Sequence, residues 1–292
     1  MGSLENFDTR SWDKEFSEEE KIRAVSCLEA GKVLYFPQLA FDLKDEEARF
    51  LDPRITDPRS KNVSYDPHQA ILRGAICTEA EKQSLQAMME RYAAASVHFI
   101  QRLIPHYIPT LKQGKTSFRP VEIQGRKTSY RKDDTRLHVD AFPSNPTKGK
   151  RILRVFTNVN RAGLPRQWRI GEPFEELARR MRPRLRSPIF GMAQLLKLLK
   201  ITKDLRTPYD HYMLQLHDLM KGDTDYQKTV QQEAFGFPPF STWVVYTDQV
   251  SHAAMSGQHL FEQTFYMPVA GLYNEALSPL RVLERVVERQ LV

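Results

Sequence analysis

A histidine and an aspartate two residues apart, His138 and Asp140 in the run Leu137-His138-Val139-Asp140-Ala141-Phe142-Pro143, are the pair in this sequence with the clearest chemical use. In an extended strand, alternate residues point the same way, so one imidazole and one carboxylate can grip a single metal ion from one face. A later histidine would complete a two-His-one-carboxylate facial triad, which holds non-haem Fe(II) and leaves three coordination positions open. His252 is the candidate, because it follows the apolar strand-like run Thr242 to Thr247. His259 competes for the role but follows a Ser256-Gly257 turn. The tripeptide is weak by itself: a chain of this length with eight histidines shows His-x-Asp by accident in roughly four cases in ten. Its surroundings have to carry the assignment.

An Fe(II) triad of this kind works with 2-oxoglutarate and O2. The keto-acid end of 2-oxoglutarate chelates the metal, and its far carboxylate calls for a cation, best a bidentate arginine. The usual place, roughly ten residues beyond the distal histidine, holds neither Arg nor Lys between Leu260 and Met267. The expectation passes to Arg154, flanked by Leu153 and Val155 and sharing a strand face with Ile152, Phe156 and Asn158. A charge among apolar neighbours is rarely left unpaired, so Arg154 and Asn158 are expected at the cosubstrate; a solvent-facing Arg154 on an edge strand is the bland alternative. The chemistry implied is hydroxylation. 2-Oxoglutarate is decarboxylated to succinate while a substrate carbon exchanges hydrogen for hydroxyl.

The elements around these residues fall into blocks. Residues 13–31 and 78–104 read as helices, the second opening on a capping box at Thr78-Glu79-Ala80-Glu81 and stopping before Pro105. Val33 to Phe36 reads as a short buried strand. From Phe118 the period changes to two, through Val121 to Gln124, Leu137 to Ala141 and Arg151 to Val159. Helical patterns return over 172–232, strands at Thr242 to Thr247 and Glu262 to Met267, and an amphipathic helix closes the chain over 279–292. This order predicts an α+β fold with a double-stranded β-helix (jelly-roll, cupin-like) core in one domain spanning 1–292. Its parts are a helical N-terminal layer over 1–115, barrel strands over 118–160 and 240–268, and a helical insert over 161–235.

Composition narrows the partners. With 292 residues, 41% hydrophobic and 27% charged, the chain can bury a sizeable core. Two cysteines, Cys27 and Cys77, are too few for a disulfide scaffold, so a reducing cytoplasm is expected. The net charge of +7 predicts an anionic partner. Arg126, Lys127 and Arg131, just before the metal strand, are candidate substrate contacts, and Arg179 to Arg186 form a second dense cluster. Leu195 to Ile201 mixes leucines with lysines as a membrane-surface helix would, but core packing is the expectation for it and for the C-terminal helix.

Three extended segments resemble the Kdo hydroxylase family: His138 through Pro146, Arg151 through Asn160, and Phe240 through Gly257. The resemblance runs from about Val33 to Pro268 and includes Tyr209 through Asp218. It implies a bacterial Fe(II)/2-oxoglutarate dioxygenase that hydroxylates 3-deoxy-D-manno-oct-2-ulosonic acid (Kdo) at C3, giving D-glycero-D-talo-oct-2-ulosonic acid (Ko) in the lipopolysaccharide inner core. It also implies His138, Asp140 and His252 as iron ligands, a Kdo-bearing lipid A precursor as substrate, and work at the cytoplasmic face of the inner membrane, with peripheral contact to its anionic surface. Two other readings are a hydroxylase of nucleic acid or protein and a non-catalytic basic binding module. Nucleic acid is not expected, since no strand interleaves aromatic and basic residues for base stacking. Retention of all three candidate ligands argues against the module.

Overall fold

The computed structural model describes residues 2–125 and 128–292. In chain order it comprises β1 (Leu4–Asn6), α1 (Glu18–Glu29), β2 (Val33–Phe36), β3 (Val63–Asp66), β4 (Ile71–Arg73), α2 (Glu79–Leu103), β5 (Lys112–Arg119), β6 (Arg151–Asn158) and β7 (Arg166–Ile170). Helices α3 (Phe174–Met181), α4 (Met192–Leu198), α5 (Pro208–Gly222) and α6 (Thr224–Thr229) follow. The chain ends through β8 (Glu233–Phe237), β9 (Thr242–Tyr246), β10 (His252–Ser256), β11 (Leu260–Met267) and α7 (Pro279–Val287).

Eight strands form one sheet in the order β1-β2-β9-β6-β11-β5-β3-β4, and β10-β7-β8 form a second. The two sheets make the expected jelly roll. The centre of its large sheet is buried on both faces, with β6 covered at all eight positions and β9 at all five. Between the sheets, Phe156, Trp168, Trp243 and Phe237 pack ring against ring, with Phe237 and Trp243 stacked at 3.9 Å. On the outer face Leu153, Val155, Val244 and Phe265 meet Val25 and Leu28 of α1 and Phe99, Ile100 and Leu103 of α2. Each such fully buried side chain contributes about 1.5–3 kcal/mol relative to exposure.

Local signals set the helix starts. Ser17 with Glu20, Thr78 with Glu81 and Thr207 with Asp210 each form a complete capping box at the head of α1, α2 and α5. Strand boundaries depart further from the sequence pattern. β7 lies inside the insert expected to be helical and β8 begins in it. β2 is the strand expected at Val33 to Phe36, but β1, β3, β4 and the start of β5 fall in the layer expected to be helical. Residues 121–124 form no strand, and Leu137 to Asp140 is extended chain held to β10 by a single bridge, His138 to His252. The leucine-rich stretch also differs: no residue of α4 is buried. Among the described residues no helix is long and apolar enough to cross a membrane.

Candidate metal centre and its cavity

His138, Asp140 and His252 converge, with one ligand atom from each lying within 4.8 Å of the others; among the described residues they are the one such metal-competent cluster. Backbone pairing brings them together across the chain. His138 N donates to His252 O (3.0 Å), His252 N to His138 O (2.9 Å) and Asp140 N to Thr247 O (2.8 Å). His259, the rival distal ligand, lies elsewhere, with Nε2 2.9 Å from Leu51 O.

The imidazoles are set for a metal. His138 Nδ1 is 2.8 Å from Arg136 O, and His252 Nδ1 is 2.8 Å from Val250 O. A carbonyl only accepts, so Nδ1 carries the proton in both rings and the Nε2 lone pairs are left for an ion. Burial pushes both rings below their ordinary pKa, with His252 and Lys221 lowering His138 further. Asp140 is held the other way: burial opposes its charge, but the Arg154 guanidinium beside it keeps its carboxyl well below the usual range. Its Oδ2 is buried without a hydrogen bond, although Arg154 Nη2 lies 2.9 Å away with its N–H aimed aside. Two neutral imidazoles, an ionised carboxylate and an unsatisfied carboxylate oxygen fit a divalent ion of the Fe(II) type.

The residues that steady the ligands are ones the sequence pattern did not flag. Arg151 is fully buried over the Tyr246 ring, donating to Asp248 Oδ2 (2.7 Å) and Gln249 Oε1 (2.6 Å), and so fastens the turn before His252 to β6. Gln227 of α6 grips both backbone groups of Leu137, at 2.8 and 3.0 Å. Trp168 stacks on the His252 ring at 5.0 Å, and His217 of α5 meets the His138 ring edge-on at 5.5 Å.

The triad opens into a cavity of about 1430 Å³. Arg154 faces it as expected, but both arms are engaged, Nη2 beside Asp140 and Nη1 2.8 Å from Glu262 Oε1. The pairing continues from Glu262 to Arg119 (2.5 Å), from Arg119 to Asp134 (3.7 Å), and from Asp134 to Lys61 (2.5 Å) and Lys221 (3.8 Å). Four cations thus share three carboxylates, and committing Asp140 to a metal leaves four against two. Such a cavity favours anionic occupants. Arg166 of β7 lines it as well, two residues along the strand from Trp168, with Nη1 2.5 Å from Gly257 O. Asn158 does not reach the cosubstrate position expected for it. Its Nδ2 donates to Leu164 O and Phe237 O and its Oδ1 accepts from Asn160 N, closing the loop after β6. Arg131 sits at the cavity rim, paired with Asp218 at 2.8 Å. Arg126 and Lys127 lie outside the described residues.

The family model for 3-deoxy-D-manno-oct-2-ulosonic acid (Kdo) hydroxylase matches residues 11–290. The chain belongs to the Kdo hydroxylase family. Solved structures of the Kdo hydroxylase KdoO, a non-heme Fe(II) alphaketoglutarate dependent dioxygenase, are 50% identical to it and match 100% of this chain and 98% of theirs. The TM-score is 0.97 for the complex with alphaketoglutarate and Fe(III), 0.98 for the cobalt(II) complex and 0.97 for the apo form. No match was found among curated proteins. As a Kdo hydroxylase family member the chain is an enzyme, with iron, 2-oxoglutarate and dioxygen as its cofactor and cosubstrates, and the cavity's cationic surplus suits both a dicarboxylate and a sugar acid.

Proposed function

We propose that this enzyme hydroxylates C3 of Kdo carried on a lipid A precursor, yielding Ko, succinate and CO2, with His138, Asp140 and His252 holding the iron. One oxygen atom of O2 enters the new hydroxyl and the other enters succinate, so the reaction balances without a further reductant. The observation that carries the reading is the buried, tautomer-fixed triad at the floor of a cationic cavity in a chain of this family. Bound there, iron supplies the dioxygen activation that couples decarboxylation of the keto acid to C–H hydroxylation.

The chain's own residues orient and shield. Arg154 serves Asp140: one arm lies beside that carboxylate and keeps it ionised, while the other arm is anchored on Glu262. The far carboxylate of 2-oxoglutarate is assigned to Arg166, which lines the cavity two residues along β7 from Trp168, the ring stacked on His252. The cluster of Lys61, Arg119 and Lys221 around Asp134 faces the Kdo carboxylate, with Arg131 at the rim. A lipid-borne substrate places the enzyme at the cytoplasmic face of the bacterial inner membrane.

The test is succinate release under Fe(II), 2-oxoglutarate and O2. Kdo-bearing lipid A precursor should stimulate it and yield one Ko per succinate. Equal stimulation by a Kdo-free lipid A precursor or by an oligonucleotide would defeat the reading.

A further inference from the structure

The segment carrying α4 is built unlike the rest of the surface. Eight of the 17 large hydrophobic side chains exposed among the described residues fall between Ile189 and Leu205. Phe190 is 101% exposed, Leu198 78%, Ile189 69% and Leu199 58%. A helix of seven residues has no stability of its own, and α4 gains none from a buried face, since none of its residues is buried. Patches of contiguous exposed apolar surface mark a place where something else binds.

Charge says what binds. Residues 182–206 hold seven basic side chains and one acidic, a surplus of six in a chain whose whole net charge is +7. Lys197 and Lys200 interleave the leucines, and Arg184, Arg186 and Lys203 flank them. Leucine, phenylalanine and isoleucine beside lysine and arginine form the composition that settles into the headgroup and acyl boundary of an anionic bilayer.

Position links the patch to catalysis. Lys203 N donates to Ser144 O at 2.9 Å and Arg206 Nη2 to Pro143 O at 2.5 Å, so the segment is tied to the loop that follows Asp140. Pro143 and Arg206 both line the metal cavity.

We infer that residues 189–205 dock the enzyme on an anionic lipid bilayer, with Phe190 and the leucines entering the surface and the lysines meeting the headgroups. Docking turns the cavity rim toward the plane in which a lipid-anchored sugar acid is displayed. The inference rests on the proposed substrate for its purpose, but its test does not.

The full chain is mixed with vesicles of phosphatidylcholine alone or with phosphatidylglycerol, free of Kdo lipid, iron and 2-oxoglutarate, and bound protein is measured by flotation. Wild type should float with the anionic vesicles and not the neutral ones. Lys197→Glu/Lys200→Glu should cut binding more than about tenfold, at about fivefold for each lysine removed. Phe190→Ser/Leu198→Ser should cut it similarly, and since both side chains are exposed the variant should keep the wild-type melting temperature. That variant should also keep wild-type succinate release on a lipid-free Kdo glycoside while losing it on vesicle-borne substrate. Wild type that ignores anionic vesicles, or a Phe190→Ser/Leu198→Ser variant that floats as wild type does, would overturn the inference. So would a dimer in sedimentation that this variant dissolves without any vesicle binding, since the patch would then join two copies of the chain. Vesicle binding without any Kdo-dependent turnover would leave the docking surface standing and remove the substrate.

Discussion

Replacing Arg154 with methionine separates two jobs that its position allows. Arg154 is 9% exposed and its guanidinium lies 2.9 Å from Asp140 Oδ2 and 2.8 Å from Glu262 Oε1. Methionine keeps most of the volume and removes the charge, leaving two buried carboxylates that share one cation fewer. Breaking a buried pair in this way costs about 3–5 kcal/mol. For a chain of this size one kcal/mol moves the melting temperature by about 2–4 °C, so the metal-free variant should melt roughly 6–20 °C below wild type in EDTA. Glu262 keeps Arg119 at 2.5 Å, so Asp140 is the carboxylate left without its cation; adding Asp140→Asn removes that charge, and the double variant should recover part of the loss. Co(II) at Asp140 replaces the missing cation, so it should raise the melting temperature of the single variant more than that of wild type. Differential scanning fluorimetry reads all three quantities. A drop below about 2 °C, or equal Co(II) shifts in both proteins, would show that Arg154 is not the counter-ion of the ligand carboxylate.

Other substitutions divide the site further. His138→Ala and His252→Ala should each weaken Co(II) binding by more than about 100-fold, beyond the range for losing an outer-shell partner, while His259→Ala keeps it; titration of the cobalt absorption decides, and a weakened His259→Ala would reassign the distal ligand. Arg166→Met should raise the 2-oxoglutarate requirement at least about tenfold, the loss of a charged hydrogen bond, with Co(II) affinity unchanged; an unchanged requirement removes it from the cosubstrate site. Burial opposes the charge of Asp134, yet Lys61 and Arg119 hold its carboxyl well below the usual range. Its contribution to stability is therefore present above the unfolded carboxylate value of about 3.9 and is lost as pH falls below it. Asp134→Asn should be less stable at neutral pH and lose less on acidification below about pH 4; parallel acid-unfolding curves would refute this.

The parts of the fold that were legible in sequence are those where local chemistry decides. Thr78 and Glu81 fixed the start of α2 because a capping box is satisfied within one turn. His138 and Asp140 could be paired because extended chain repeats every two residues, and His252 because it follows closely on the buried apolar strand β9, although it opens β10 rather than ending that run. Strand β7 was hidden for a physical reason. Its inward positions are Arg166, Trp168 and Ile170, and the first faces a polar cavity, so hydrophobic alternation fails where the site begins. Asn158 shows the limit of face assignment: it follows Arg154 and Phe156 in register, but at the strand exit its amide is drawn into closing the next loop. The leucines around α4 read as core because apolar content is the same for a buried helix and for an exposed one. Glu262 could not be foreseen as the partner of Arg154, since β11 pairs with β6 across more than a hundred residues.

The most direct test of the metal assignment is an anaerobic Fe(II) titration in the presence of 2-oxoglutarate, followed by visible absorption. Wild type should develop a metal-to-ligand charge-transfer band that saturates at one Fe(II) per chain and is absent from His138→Ala and His252→Ala. A wild-type protein with no such band, or a His252→Ala variant that shows it at full strength, would contradict the account.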